Sequence, residues 1–73
     1  MNEKQEMMTD MVKNLAIFLM EKNDSLTMEE ALSIVFNSDT YQKIIDERTR
    51  LYYQSPRYVF AFLDEELKNG KLG

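Results

Sequence analysis

Four tyrosines and three arginines crowd the middle of this chain. Tyr41, Tyr52, Tyr53 and Tyr58 interleave with Arg48, Arg50 and Arg57, and the stretch LYYQSPRY (Leu51 to Tyr58) holds three of the tyrosines and the one proline. Tyrosine rings stack on nucleobases while arginines neutralise phosphates, so this mixture is compatible with a single-stranded nucleic-acid site. The same two residue types anchor protein–protein interfaces. A third reading is architectural: one or two rings cap the core with their hydroxyls at the surface, and the arginines pair with Asp46, Glu47 or the acidic helices. The chain carries a formal net charge of −4. That balance puts architecture first, a protein partner second and nucleic acid last.

Other chemistry is scarce. There is no histidine and no cysteine, which removes the commonest general base, the commonest metal ligand and any thiolate. Adjacent carboxylates occur at Glu29-Glu30 and Asp64-Glu65-Glu66. Neighbours on a helix stand about 100° apart and do not converge on one ion, so both groups read as solvated faces, with Glu29-Glu30 marking a helix start. No phosphate-binding loop, glycine-rich dinucleotide motif or calcium loop is present. The expectation is therefore a chain without catalytic activity, metal or cofactor. Ser55-Pro56 has the form of a proline-directed phosphorylation site. A serine N-cap followed by proline at the first helical position explains both residue types and their order, and that reading is preferred.

Seventy-three residues make one small domain. A chain this short buries only about 60% of the surface that its unfolded form exposes. The opening MNEKQE lacks the features of a signal peptide. The longest apolar run, LAIFLM (Leu15 to Met20), is far short of the roughly 20 residues that a membrane-spanning helix needs. A cytoplasmic chain with no membrane contact is expected.

Few breakers interrupt the pattern, and they divide it into helices. The first is expected over residues 4–22, because Met8, Met11, Val12, Leu15, Phe18 and Leu19 recur at spacings of three and four. Its second half is apolar all round. Either this helix is the centre of the domain or its outer face, with Ile17 and Met20, meets another chain. The second helix is expected over residues 28–36. Thr27 and Glu30 form a capping box ahead of it, and Ala31, Leu32, Val35 and Phe36 share its inner face. The third is expected over residues 40–47, capped by Asp39 with Gln42 as its box partner, and with Tyr41, Ile44 and Ile45 inward. RLYYQ reads as an extended connection. The last helix, residues 56–69, starts at Ser55-Pro56. It carries Val59, Phe60, Leu63 and Leu67 as a stripe widened by Phe62, and it ends with Gly70 in the left-handed position. The fold class is all-α, a compact bundle of about four short helices. The second and third helices also have roughly helix-turn-helix lengths, although Asp46 and Glu47 would face phosphate unfavourably.

The segment SDTYQKIIDERTRLYYQSPRYVFAFLDEELKNGKL resembles a group of small bacterial proteins of unknown function that share an LYYQSP-x-Y-V core and an acidic terminal helix. It is also similar to short helical domains encoded near toxin-like genes. The resemblance implies a small bacterial helical domain. It brings no activity and no catalytic or binding residue with it.

The functional expectation is a non-enzymatic protein–protein interaction module, self-associating as a homodimer or serving as the small partner of an operon-encoded protein. Its candidate partner-binding residues are Ile17, Met20, Arg50, Tyr52, Tyr53 and Arg57, with Met7, Met8 and Met11 as adaptable contacts. The alternative is a small nucleic-acid-binding or transcription-regulatory domain that uses Arg48, Arg50, Arg57 and the tyrosines. Whether Tyr52 and Tyr53 face core or solvent decides how the aromatic stretch is read.

Overall fold

The computed structural model describes residues 2–70. Four α-helices follow one another: α1 (Glu3–Lys22), α2 (Met28–Phe36), α3 (Asp39–Ile44) and α4 (Pro56–Lys68). Two 3-10 turns, Glu47–Thr49 and Leu51–Tyr53, join α3 to α4. There is no β-strand among the described residues, and the fold is all-α. Its radius of gyration, 11.6 Å, is close to the roughly 11 Å of a compact chain of this length.

α1 is the centre. It packs most extensively against α2 and also meets α3, α4 and the Leu51–Tyr53 turn. Leu15 and Ala16 are fully buried on it, as are Ala31 and Val35 on α2. Ile44 of α3 and Val59 and Leu63 of α4 are likewise fully buried and complete the core. Burying side chains of this size stabilises the fold by about 1.5–3 kcal/mol each. The seam between α1 and α4 carries charge at its edge: Lys22 donates to Asp64 at 3.0 Å, and Lys68 reaches the same carboxylate at 3.3 Å.

The helix ends explain where the elements stop. The Thr27 hydroxyl accepts from the Glu30 amide at 3.1 Å, while the Glu30 carboxylate accepts from the Thr27 amide at 2.9 Å, which is the capping box expected there. The Ser55 hydroxyl accepts from the Tyr58 amide, and Pro56 sits in the first turn. Gly70 follows the last helix at φ 67°, the left-handed conformation that glycine adopts without steric cost.

α3 departs from expectation at both ends. It spans six residues, and Ser38 rather than Asp39 is its N-cap. The Ser38 hydroxyl accepts from the Tyr41 amide at 3.0 Å and donates to the Val35 carbonyl at 2.6 Å, so one buried side chain closes α2 and opens α3. The remaining first-turn donors go to α4. The Glu66 carboxylate accepts the Asp39 amide at 2.7 Å, the Thr40 amide at 3.0 Å and the Thr40 hydroxyl at 2.8 Å. With Glu66 supplying the acceptor, Asp39 has no capping role and Gln42 no box partner. Glu66 is thus no part of a solvated acidic face. It is 7% exposed.

At the other end, the Thr49 hydroxyl lies 2.5 Å from the Lys43 carbonyl and 2.9 Å from that of Asp46, and it accepts from the Leu51 amide. These bonds stop the helix before Asp46 and bend the chain. RLYYQ is consequently not extended. Arg50 adopts the left-handed conformation (φ 54°, ψ 21°) and starts the 3-10 turn Leu51–Tyr53. The turn drives Leu51 and Tyr52 into the core, which is where their apolar surface is stabilised.

Burial by itself would raise the pKa of Glu66, but the bonds from Asp39 and Thr40 outweigh it and hold the carboxyl below its ordinary value of 4.5. A carboxylate with a depressed folded-state pKa contributes stability above its unfolded value and loses that contribution as pH falls through the folded one. Glu66→Gln replaces an acceptor oxygen with a donor that faces donors. It should cost about 2–3 kcal/mol at neutral pH, read from urea melts followed by circular dichroism. Wild type should lose stability more steeply than the variant on acidification below about pH 4.5, and equal acid slopes would rule out this role for Glu66.

Candidate functional site

The chain between Ile45 and Pro56 sets out the surface chemistry. Asp46 accepts from the Arg48 amide at 3.0 Å and binds its guanidinium through two bonds of 3.0 and 2.8 Å. The hydrogen bonds from Arg48 hold the Asp46 carboxyl below the usual carboxylate range. Lys4, from the first turn of α1, donates to Glu47 at 2.6 Å. That bond raises the lysine above its ordinary value, and the nearby Arg50 charge opposes the rise.

The two adjacent tyrosines have opposite fates. Tyr52 is 8% exposed and belongs to the core, whereas Tyr53 is 70% exposed. Their rings meet edge to face at 6.4 Å. Tyr53 and Arg50 line the same open hollow, together with Lys4, Glu47, Arg48 and Tyr52. Architecture therefore accounts for Tyr52, while Tyr53 stands at the surface beside an arginine.

The other candidate residues lie elsewhere. The Arg57 guanidinium sits 3.8 Å from the centre of the Phe18 ring and 3.5 Å from the Glu21 carboxylate. Phe18 in turn meets Phe60 edge to face at 5.4 Å. Arg57 is thus stacked on the α1–α4 seam. Arg57 is held away from Arg48 and Arg50, which line one hollow, and Arg48 and Arg57 each have an acidic neighbour, which weakens a phosphate-binding role shared by all three. Ile17 is exposed, but Met20 is half-buried against the core. The outer face of α1 therefore offers one apolar side chain where two were expected. Of the adaptable methionines, Met11 is buried, and Met7 and Met8 are half-buried.

A further surface was not marked by the sequence pattern. Phe36, Ile45 and Phe62, all expected inward, are 49%, 42% and 42% exposed. Ile45 follows α3, whose short length buries Ile44 and leaves its neighbour, about 100° around, outside. Phe36 is the last residue of α2. It meets Tyr41 edge to face at 5.1 Å. Phe36, Tyr41 and Ile45, with Met8, Val12 and Leu32, line an apolar groove of about 250 Å3 between α1, α2 and α3. Tyr58 and Phe62 make a smaller exposed aromatic pair on α4, at 5.3 Å. No local signal in the sequence marks this surface, because α3 ends at Ile44, short of its expected length, where the Thr49 hydroxyl bonds the Lys43 and Asp46 carbonyls.

Among the described residues, no helix is long and apolar enough to cross a membrane. Comparison with protein-family models, with curated proteins and with solved structures finds no match for this chain.

The contrast between the tyrosines gives a direct test. Tyr53→Ala should change stability by no more than about 0.5 kcal/mol, as surface substitutions do. Tyr52→Ala removes a core ring and should cost about 3 kcal/mol or more in chemical denaturation.

Proposed function

We propose that this chain is a non-enzymatic protein–protein interaction module that self-associates through the groove between α1, α2 and α3. The observation that carries this reading is the pairing, on one face, of an apolar hollow with the exposed side chains of Phe36 and Ile45. Such a face is suited to an isologous contact, in which the same patch of two copies meets across a two-fold axis. The half-exposed Phe36 and Ile45 of one copy have an apolar hollow to meet on the other. Large aromatic side chains at the centre of a contact supply much of its affinity. The groove takes Met8 and Val12 from α1 rather than Ile17 and Met20, so the interface lies beside the face that the sequence pattern suggested.

Light scattering on a size-exclusion column tests the proposal. Wild type should elute with the mass of two chains. The double variant Phe36→Glu, Ile45→Glu should elute with the mass of one and keep its helical circular dichroism, because both positions are substantially exposed. A wild-type protein that remains a single chain at high concentration would remove the self-association reading.

A further inference from the structure

Tyr53 stands between two hollows that share no residue with the apolar groove. One, about 580 Å3 and open, is lined by Lys4, Glu47, Arg48 and Arg50 with the two tyrosines. The other, about 180 Å3, places Met7, Met11, Asn14 and Pro56, with Asp10 and Gln54, on the far side of the same tyrosines. The first hollow has three cationic side chains and one carboxylate, a local charge of +2 (three minus one), in a chain of net −4. The second is largely apolar.

The charges of the first hollow are unequally matched. Glu47 holds Lys4 at 2.6 Å, and Asp46, outside the hollow, draws Arg48 at 2.8 Å. Arg50 has no ion-pair partner among the described residues. It is near enough to Lys4 to oppose that lysine's charge. Two like charges at one hollow, with a single carboxylate already committed to Lys4, leave room for a second anion. A guanidinium offers a carboxylate a planar, two-pronged set of donors. Arg50 also sits at a left-handed φ of 54°, where glycine would be free of strain and a side chain is not. Strain of this kind gathers at functional positions.

We propose that these paired hollows recognise an acidic–apolar segment of a partner protein. A carboxylate of the partner sits between Lys4 and Arg50. A neighbouring apolar side chain packs against Met7 and Pro56, and the segment crosses the exposed Tyr53 ring. A rigid ring on a short turn contributes contact area at little entropic cost. The resident carboxylate of Glu47 and the negative charge of the chain favour one acidic group over a polyanion.

Fluorescence anisotropy at low salt provides the test, with three labelled probes: a short peptide carrying glutamate and, two residues on, leucine; the same peptide with glutamine for glutamate; and an oligothymidylate. The glutamate peptide should bind about tenfold more tightly than its glutamine counterpart, as a charge-assisted bond would require, and added salt should weaken it. Arg50→Gly suits the backbone at that position, so the variant should melt like wild type while losing about tenfold in affinity for the glutamate peptide. Arg57→Ala should bind like wild type. The Phe36→Glu, Ile45→Glu protein should also keep the peptide affinity, whatever its own oligomeric state. Equal binding of the two peptides, full affinity in Arg50→Gly, loss of affinity in the groove variant, or tighter binding of the oligothymidylate would each overturn the proposal.

Discussion

The Glu66 carboxylate is the interaction on which the rest of this fold turns. A helix of six residues has no stability of its own in water, because the cost of its first turn is not recovered over so short a length. α3 persists because α4 supplies an acceptor for its opening donors: Glu66 takes three hydrogen bonds from Asp39 and Thr40. The negative charge also lies at the positive end of the helix, where it is favourable. α3 then holds Ile44 in the core, sets Tyr41 and Ile45 along the apolar groove and aims the chain into the turn that carries Arg50, Tyr52 and Tyr53. Both surfaces depend on one buried carboxylate.

Local chemistry was legible in the sequence wherever a residue acts on its near neighbours. Thr27 with Glu30, Ser55 with Pro56, and Gly70 act within a turn of where they stand, and α2 begins and ends where its pattern places it. The interior of α1 was legible for a related reason: a long apolar period leaves little choice of face. What escaped depends on distance along the chain. Glu66 reads as one more acid in a run of three because its partners are 26 and 27 residues away. Once Glu66 caps α3, Asp39 loses its local role and Ser38 gains one. The left-handed Arg50 was equally hidden. Nothing in its side chain favours that conformation, and it is set by the Thr49 bonds that bend the chain back toward α1.

The aromatic stretch shows the same division within two residues. A strand would have sent Tyr52 and Tyr53 to opposite faces, whereas the 3-10 turn sets them about 120° apart, enough to bury one and expose the other. The sequence left open whether each ring faces core or solvent, and the turn answers it by giving Leu51 and Tyr52 to the core and Tyr53 to the surface. The arginines were harder to place. Their proximity in sequence suggests one cationic patch, but α4 carries Arg57 to Phe18 while the turn keeps Arg48 beside Asp46.

A chain of this length has too little interior for all its large side chains. Leu15, Ile44 and Leu63 fill the centre, and once they are placed, Phe36, Ile45, Tyr58 and Phe62 can only gather at the margins. The margins are not equivalent. Between α1, α2 and α3 the leftover side chains surround a hollow, which makes them a shape that another apolar surface can fit. On α4, Tyr58 and Phe62 meet edge to face and both stay exposed. Around Tyr53 the surplus is electrostatic as well as apolar, since Arg50 lies beside Lys4 without a counter-charge of its own. Because α3 and its following turn form a border of both surfaces, movement of that short helix would alter the two together. The Glu66 clamp therefore fixes the helix that borders the groove and leads into the turn that carries Tyr53.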